Sequence, residues 1–122
     1  MGVSEDTPKK INGSPEQQEI INYAYEIGNL DFVLMLEAEN GTWETTRRSN
    51  RVGSNGYSDS GHCQLSRKYH HQFIDSPAFQ DYKLQLNYCW EVWKDAERKG
   101  RLNTTFYGIA NRDRAAKNFT IN

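Results

Sequence analysis

Two carboxyl residues in unlike settings carry the chemistry of this chain. Glu39 follows the apolar run Phe32-Val33-Leu34-Met35-Leu36, and Asp59 lies in a Gly-bounded polar segment, residues 56–66. A carboxyl kept protonated by apolar surroundings and a second kept ionised by polar ones are what cleavage of a glycosidic acetal requires. The first donates a proton to the departing oxygen, and the second balances the positive charge that develops on the sugar. Glu37 is the rival acid. On a helix it stands about 200° around the axis from Glu39, so one cleft cannot receive both side chains, and a structural hydrogen-bond or surface role is expected for it.

The elements that must position these groups are legible in outline. Residues 1–13 are polar and aperiodic and read as a flexible tail, leaving 14–122 as one domain. Ser14-Pro15-Glu16-Gln17 has the form of a helix start: Ser as N-cap, Pro at the first position, and Gln completing a capping box. Ile20, Ile21, Ala24 and Ile27 form the buried stripe of that helix, and Gly28 stops it. A second helix, capped by Asn29 or Asp31, is apolar nearly all round, belongs in the core and ends near Asn40-Gly41.

Residues 42–61 form a polar β-region or long loop, with Asn55-Gly56 as its turn signal. Gln64-Leu65-Ser66 leads into a short segment, and Asp75-Ser76-Pro77 opens the next helical stretch. That stretch carries Phe79, Tyr82, Leu84, Leu86, Cys89, Trp90 and Trp93 as far as Gly100. Asn103-Thr104-Thr105 caps a last short helix with Phe106, Tyr107 and Ile109. The expected class is α+β, mostly α, a helical body with a small β-hairpin lobe.

The wording around the two acids resembles the lysozyme superfamily. Glu39-Asn40-Gly41 is similar to the Glu-Ser-Gly or Glu-Ser-Asn that carries the acid in lytic transglycosylases and animal lysozymes. Gly61-His62-Cys63-Gln64-Leu65 resembles the transglycosylases' Gly-Leu-Met-Gln-Ile, with His62-Cys63 in place of Leu-Met. Ser58-Asp59-Ser60-Gly61 resembles the Thr-Asp-Tyr-Gly of chicken-type lysozymes, and Phe106-Tyr107-Gly108-Ile109-Ala110-Asn111 is a loose echo of Ala-Tyr-Asn-Ala-Gly. The resemblance spans residues 16–110 and is specific over 36–69.

The resemblance implies a lysozyme-like fold and cleavage of the β-1,4 bond between N-acetylmuramic acid and N-acetylglucosamine, with no cofactor. Glu39 would be the acid and then the base. Asp59 would assist water in a hydrolase; in a lytic transglycosylase the muramic C6 hydroxyl attacks and one carboxyl suffices. The words around Glu39 and Gln64 tip the expectation slightly towards the transglycosylase. A non-catalytic saccharide-binding or structural domain on the same fold is the alternative of another class. Gln64, Tyr69, His70 and Tyr107 are the substrate-binding candidates by the same likeness.

Composition narrows the partners. Fifteen basic and sixteen acidic residues leave no nucleic-acid footprint, although Arg47, Arg48, Arg51, Arg67 and Lys68 gather beside the motifs. The expected partner is the peptidoglycan glycan strand, met by a monomer with no membrane span. An exported, periplasmic, cell-wall or phage-associated setting is expected, although the polar, acidic start carries no signal peptide. Cys63 and Cys89 permit one disulfide, which export would favour, or two free thiols. A zinc site from His62, Cys63, His70, His71 and Cys89 lacks the spacing of known sites, so no metal is expected.

Overall fold

The computed structural model of the chain describes residues 6–49 and 56–122. It is mostly helical, with two very small antiparallel sheets. Helix α1 spans Pro15–Ile27 and begins with the expected reciprocal box: the Gln17 amide donates to Ser14 Oγ at 3.1 Å, and Gln17 Oε1 accepts from the Ser14 amide at 2.9 Å. Helix α2, Leu30–Glu39, is capped by Asn29, whose Oδ1 accepts from the Phe32 amide at 2.8 Å. Five successive residues of α2, from Phe32 to Leu36, are buried, so this helix forms the axis of the core.

Around α2 pack α1, the 3-10 turn Tyr107–Asn111 and a short helix, Arg112–Ala116. The long helix Tyr82–Arg98 supplies Leu86, Cys89 and Trp93 to the same core. Phe32 meets Trp90 and Trp93 edge to face, with ring centroids 5.0 and 5.7 Å apart, an arrangement worth about 0.5–1.5 kcal/mol per pair beyond area.

Strand β1, Lys9–Lys10, pairs with a strand at the other end of the chain, Phe119–Thr120. Thr7 and Pro8 are buried beside it. The expected tail therefore ends before residue 13: residues 7–12 belong to the body, because a backbone partner and a buried ion pair hold them there, and residues 1–5 lie outside the described set. Strands β2, Asp59–Ser60, and β3, Leu65–Ser66, form the hairpin, with Asp59 opposite Ser66 and Ser60 opposite Leu65. Arg48 bridges Ser60 from the other side, so the hairpin has a third edge. The Asn55 half of the expected turn lies outside the described residues. The hairpin's own turn is at 61–64, so Cys63 sits within the turn rather than after it.

The segment after Ser66, expected as a short connection, is helix α3, Arg67–Ile74. Ser66 caps it through Oγ, and it is kinked at His70. A 3-10 turn, Pro77–Gln80, and the cap Asp81 then lead into the long helix, labelled α4; α5 is Leu102–Thr105, α6 is Arg112–Ala116 and β4 is Phe119–Thr120. Among the described residues no helix is long and apolar enough to cross a membrane.

Candidate active site

Glu39 is the last residue of α2, and its carboxylate lies against the 3-10 turn that follows α5. Glu39 Oε1 accepts the backbone N–H of Gly108, sixty-nine residues away. The fit is close: a Cβ on Gly108 would stand 2.5 Å from Glu39 Oε1 and 2.9 Å from its Cγ. Only a residue without a side chain lets that backbone approach the acid.

Burial pushes the Glu39 pKa up; the Gly108 amide, which favours the ionised form, works against this, and the charge of Asp59 adds to the upward shift. Burial raises the Asp59 pKa as well. Asp59 is half-buried on β2, and its charge is the smallest of the three influences that shift Glu39.

Two aromatic side chains close to Glu39 in sequence have partners of their own. Phe32 is turned into the core against the tryptophans, and the Trp43 indole N–H donates to Glu37 Oε2 at 2.9 Å. Glu37 also pairs with Lys10 Nζ. It is 5 % exposed and fully engaged, which fits the structural role its position on the helix predicts. A cavity of about 230 Å3 lined by Glu37, Ala38, Asn111, Arg114, Ala115 and Asn118 opens on that face, away from Glu39 and Asp59.

The hairpin is fastened to the body by buried polar groups. Asn40 directly follows the acid; its Nδ2 donates to the Glu44 carbonyl at 2.9 Å and the Gly61 carbonyl at 3.2 Å. Gln85 on α4 accepts the His62 amide at 2.7 Å and donates to the Thr45 and Phe79 carbonyls, each at 2.7 Å. Gly61, at φ +85°, faces Gln85 Oε1 so closely that a Cβ would stand 2.5 Å from it. Cys63 and Cys89 form a disulfide that joins the turn to α4. Both thiols are thereby used.

The substrate-binding candidates separate into two kinds. Tyr69 and Tyr107 are 70 % and 78 % exposed, and Tyr107 adjoins the Gly108 that holds the acid. Gln64 and His70 are turned to the protein. Gln64, at φ +52°, donates to the Gly61 carbonyl at 2.9 Å and braces the turn. His70 Nδ1 is 2.7 Å from the Tyr88 hydroxyl, and burial lowers its pKa.

Gly108 and Gln85 were not singled out from sequence. Gly108 lies within a loose echo of a family motif, and Gln85 sits among the apolar positions of a helix, where its polarity is the signal available. Comparison with known protein families, curated proteins and solved structures returns no match for this chain.

Proposed function

We propose that this protein is a peptidoglycan-cleaving glycosidase of the lysozyme-like fold, with Glu39 as general acid and then base and Asp59 as the second carboxylate. The observation that carries the reading is the pairing itself: a desolvated acid at a helix end, and a more open carboxyl on a hairpin whose charge helps to keep the acid protonated. Asp59 is the less buried of the two, and its charge opposes ionisation of Glu39. Glu39 gives its proton to the leaving oxygen, and ionised Asp59 faces the positive charge of the oxocarbenium-like transition state.

Hydrolysis would use both carboxyls, whereas the lone-acid transglycosylase route would give Asp59 no part. The lysozyme-like wording of residues 36–69 supplies the substrate, the β-1,4 bond between N-acetylmuramic acid and N-acetylglucosamine. Such a role goes with an exported or cell-wall setting.

Two measurements test this. Mass spectrometry of products from purified peptidoglycan should find reducing ends; anhydro ends would favour the transglycosylase, and no cleavage would favour a binding domain. Carboxyl titration by NMR in Asp59→Asn should find the Glu39 pKa lower than in the wild type, whatever happens to activity. An unchanged Glu39 titration would sink the two-carboxyl assignment.

A further inference from the structure

Charge is unevenly spread along this nearly neutral chain. Residues 42–71 hold five basic residues (Arg47, Arg48, Arg51, Arg67 and Lys68) against Glu44 and Asp59, a net +3. Ten basic and fourteen acidic residues remain elsewhere, a net −4. Arg51 lies outside the described residues, but the other four are placed, and they surround one strand.

The Ser49 amide donates to the Asp59 carbonyl at 2.8 Å, so Arg48 flanks Asp59 on one side. On the other side Asp59 is opposite Ser66, the residue before Arg67 and Lys68. Arg47 holds the turn through its carbonyl, which accepts the Gly61 amide at 2.7 Å, and its side chain is exposed. Arg67 is neutralised by Asp75 at 2.7 Å. Among the described residues, no carboxylate pairs with Arg47, Arg48 or Lys68. Arg48 instead donates to Ser58 Oγ at 3.0 Å, and the Lys68 ammonium lies 5.3 Å from the Tyr69 ring centroid.

We infer that the hairpin lobe is the part of the site that reads negative charge on the substrate: Arg47, Arg48 and Lys68 receive carboxylates borne by the glycan's substituents, on the Asp59 side of the scissile bond. The inference rests on the proposed glycosidase reading and adds to it an orientation and a preference for anionic over neutral glycan. Cations on a surface concentrate an opposite polymer charge, and salt screens that attraction within about 8–10 Å at ordinary ionic strength. The acidic body would repel the same groups, so the charged edge of the strand lies over the lobe. Exposed Tyr69, beside Lys68, offers a ring face to the sugar that bears the charge.

Pelleting of the full chain carrying Glu39→Gln, which leaves the polymer uncut, tests this on three supports. These are insoluble peptidoglycan, peptidoglycan with its carboxyls amidated, and neutral chitin. Binding to the first should weaken steeply with salt. Amidation, or the added triple change Arg47→Gln, Arg48→Gln and Lys68→Gln, should lower affinity by about tenfold, while the double change Arg47→Lys and Arg48→Lys, with Lys68 retained, should not. Circular dichroism checks that the variants fold. Equal binding by the Gln variant, equal binding to amidated wall, or salt-insensitive retention on chitin as strong as on wall would overturn the inference. So would a Gln variant that loses binding to duplex DNA but keeps its binding to wall. The cleavage reading fails separately: a wild type that releases no sugar while this binding pattern holds would refute the glycosidase alone.

Discussion

The helical body and the hairpin lobe are held together by different forces. In the body, α2 is apolar on every side and meets α1, α4 and α6 through side chains such as Phe32, Leu36, Leu86 and Trp93, all 0–1 % exposed. In the lobe and along its seam with the body, buried polar groups (Asn40, Ser58, Ser60, His62 and Gln85) are interleaved with Trp43, Cys63 and Leu65. Hydrogen bonds and one disulfide supplement area there. The body tolerates approximate packing and loses stability by volume; the lobe depends on each donor finding its acceptor. The candidate acid belongs to the first region and its partner to the second, so their relation depends on the seam at Asn40, Gln85 and Cys63.

The largest effect should come from the body. Phe32→Ala removes a buried ring that touches two tryptophans and should lower stability by about 3–5 kcal/mol. Hydrogen exchange should show α1, α2 and α4 amides losing protection together. Removing the disulfide with Cys63→Ala and Cys89→Ala should cost about 3 kcal/mol, from the loop closed across a separation of 26 residues. Its exchange pattern should differ, with the hairpin amides opening before those of α2. If both variants open the molecule in the same order, the two regions are one cooperative unit and the contrast fails.

Activity gives the next contrast. Glu39→Gln keeps size and loses the proton, so wall-degrading activity should fall by about 10² or more with the thermal midpoint little changed. Glu37→Gln should do the opposite, because it leaves Lys10 without its anion inside the body. There, loss of stability at preserved turnover is expected, on the scale of about 3 kcal/mol for a broken buried pair. An inactive but stable Glu37→Gln would exchange the roles of the two glutamates.

What was legible in the sequence follows the same division. Both ends of α1 are legible because Ser14, Pro15 and Gln17 at its start and Gly28 at its end signal through bonds that span only a few residues. The end of α2 at Glu39 was equally local. Helix α3 was missed because Arg67-Lys68-Tyr69-His70-His71 offers no apolar stripe; its signal was the Ser66 cap, read as part of the hairpin. The β1–β4 pair joins residues more than a hundred positions apart, and two-residue strands carry no period to detect. The seam was hidden for the same reason: the partners of Gln85 and Glu39 come from distant segments. Of the candidate site, the two carboxyls and the cysteine pair were readable as types, whereas their fixing by Gly108 and Gln85 was not.

A pH dependence should belong to the lobe. His62 is buried against Trp43, its Nε2 is 3.2 Å from Thr45 Oγ1, and its Nδ1 has no hydrogen-bond partner among the described residues. Burial pushes its pKa down to about 4 from an ordinary 6.5. The unfolded chain therefore binds the proton more readily, and His62 favours folding fully above about pH 6.5, an advantage lost as pH falls towards 4. Urea unfolding should show a decline of about 2–3 kcal/mol from this group between pH 7 and 4. Glu39 and Asp59, whose pKa values are raised, act in the opposite sense, so His62→Gln should flatten the decline or reverse it. An acid limb unchanged in that variant would assign the sensitivity to another group.

The smallest effect should come from the contact that joins α2 to the turn at 107–111. In Gly108→Ala the new methyl meets the Glu39 side chain from Cγ to Oε1, so the whole side chain must swing aside; the fold should survive with a modest loss of stability. The acid cannot stay where it was. Misplacement of a reacting group by about 1 Å can cost up to 10², and a side chain that retains part of its range should lose about tenfold in rate. Loss of the Gly108 amide as a donor also removes the one named influence that lowers the Glu39 pKa. The alkaline limb of the pH–rate profile should then move to higher pH, since the proposed mechanism requires Glu39 to be protonated. Asp59→Asn removes an influence of the opposite sign and should move the Glu39 titration down. The two variants thus shift one group in opposite directions from two sides, the body through Gly108 and the lobe through Asp59. Shifts in the same direction would mean that Glu39 responds to general loosening rather than to these two partners.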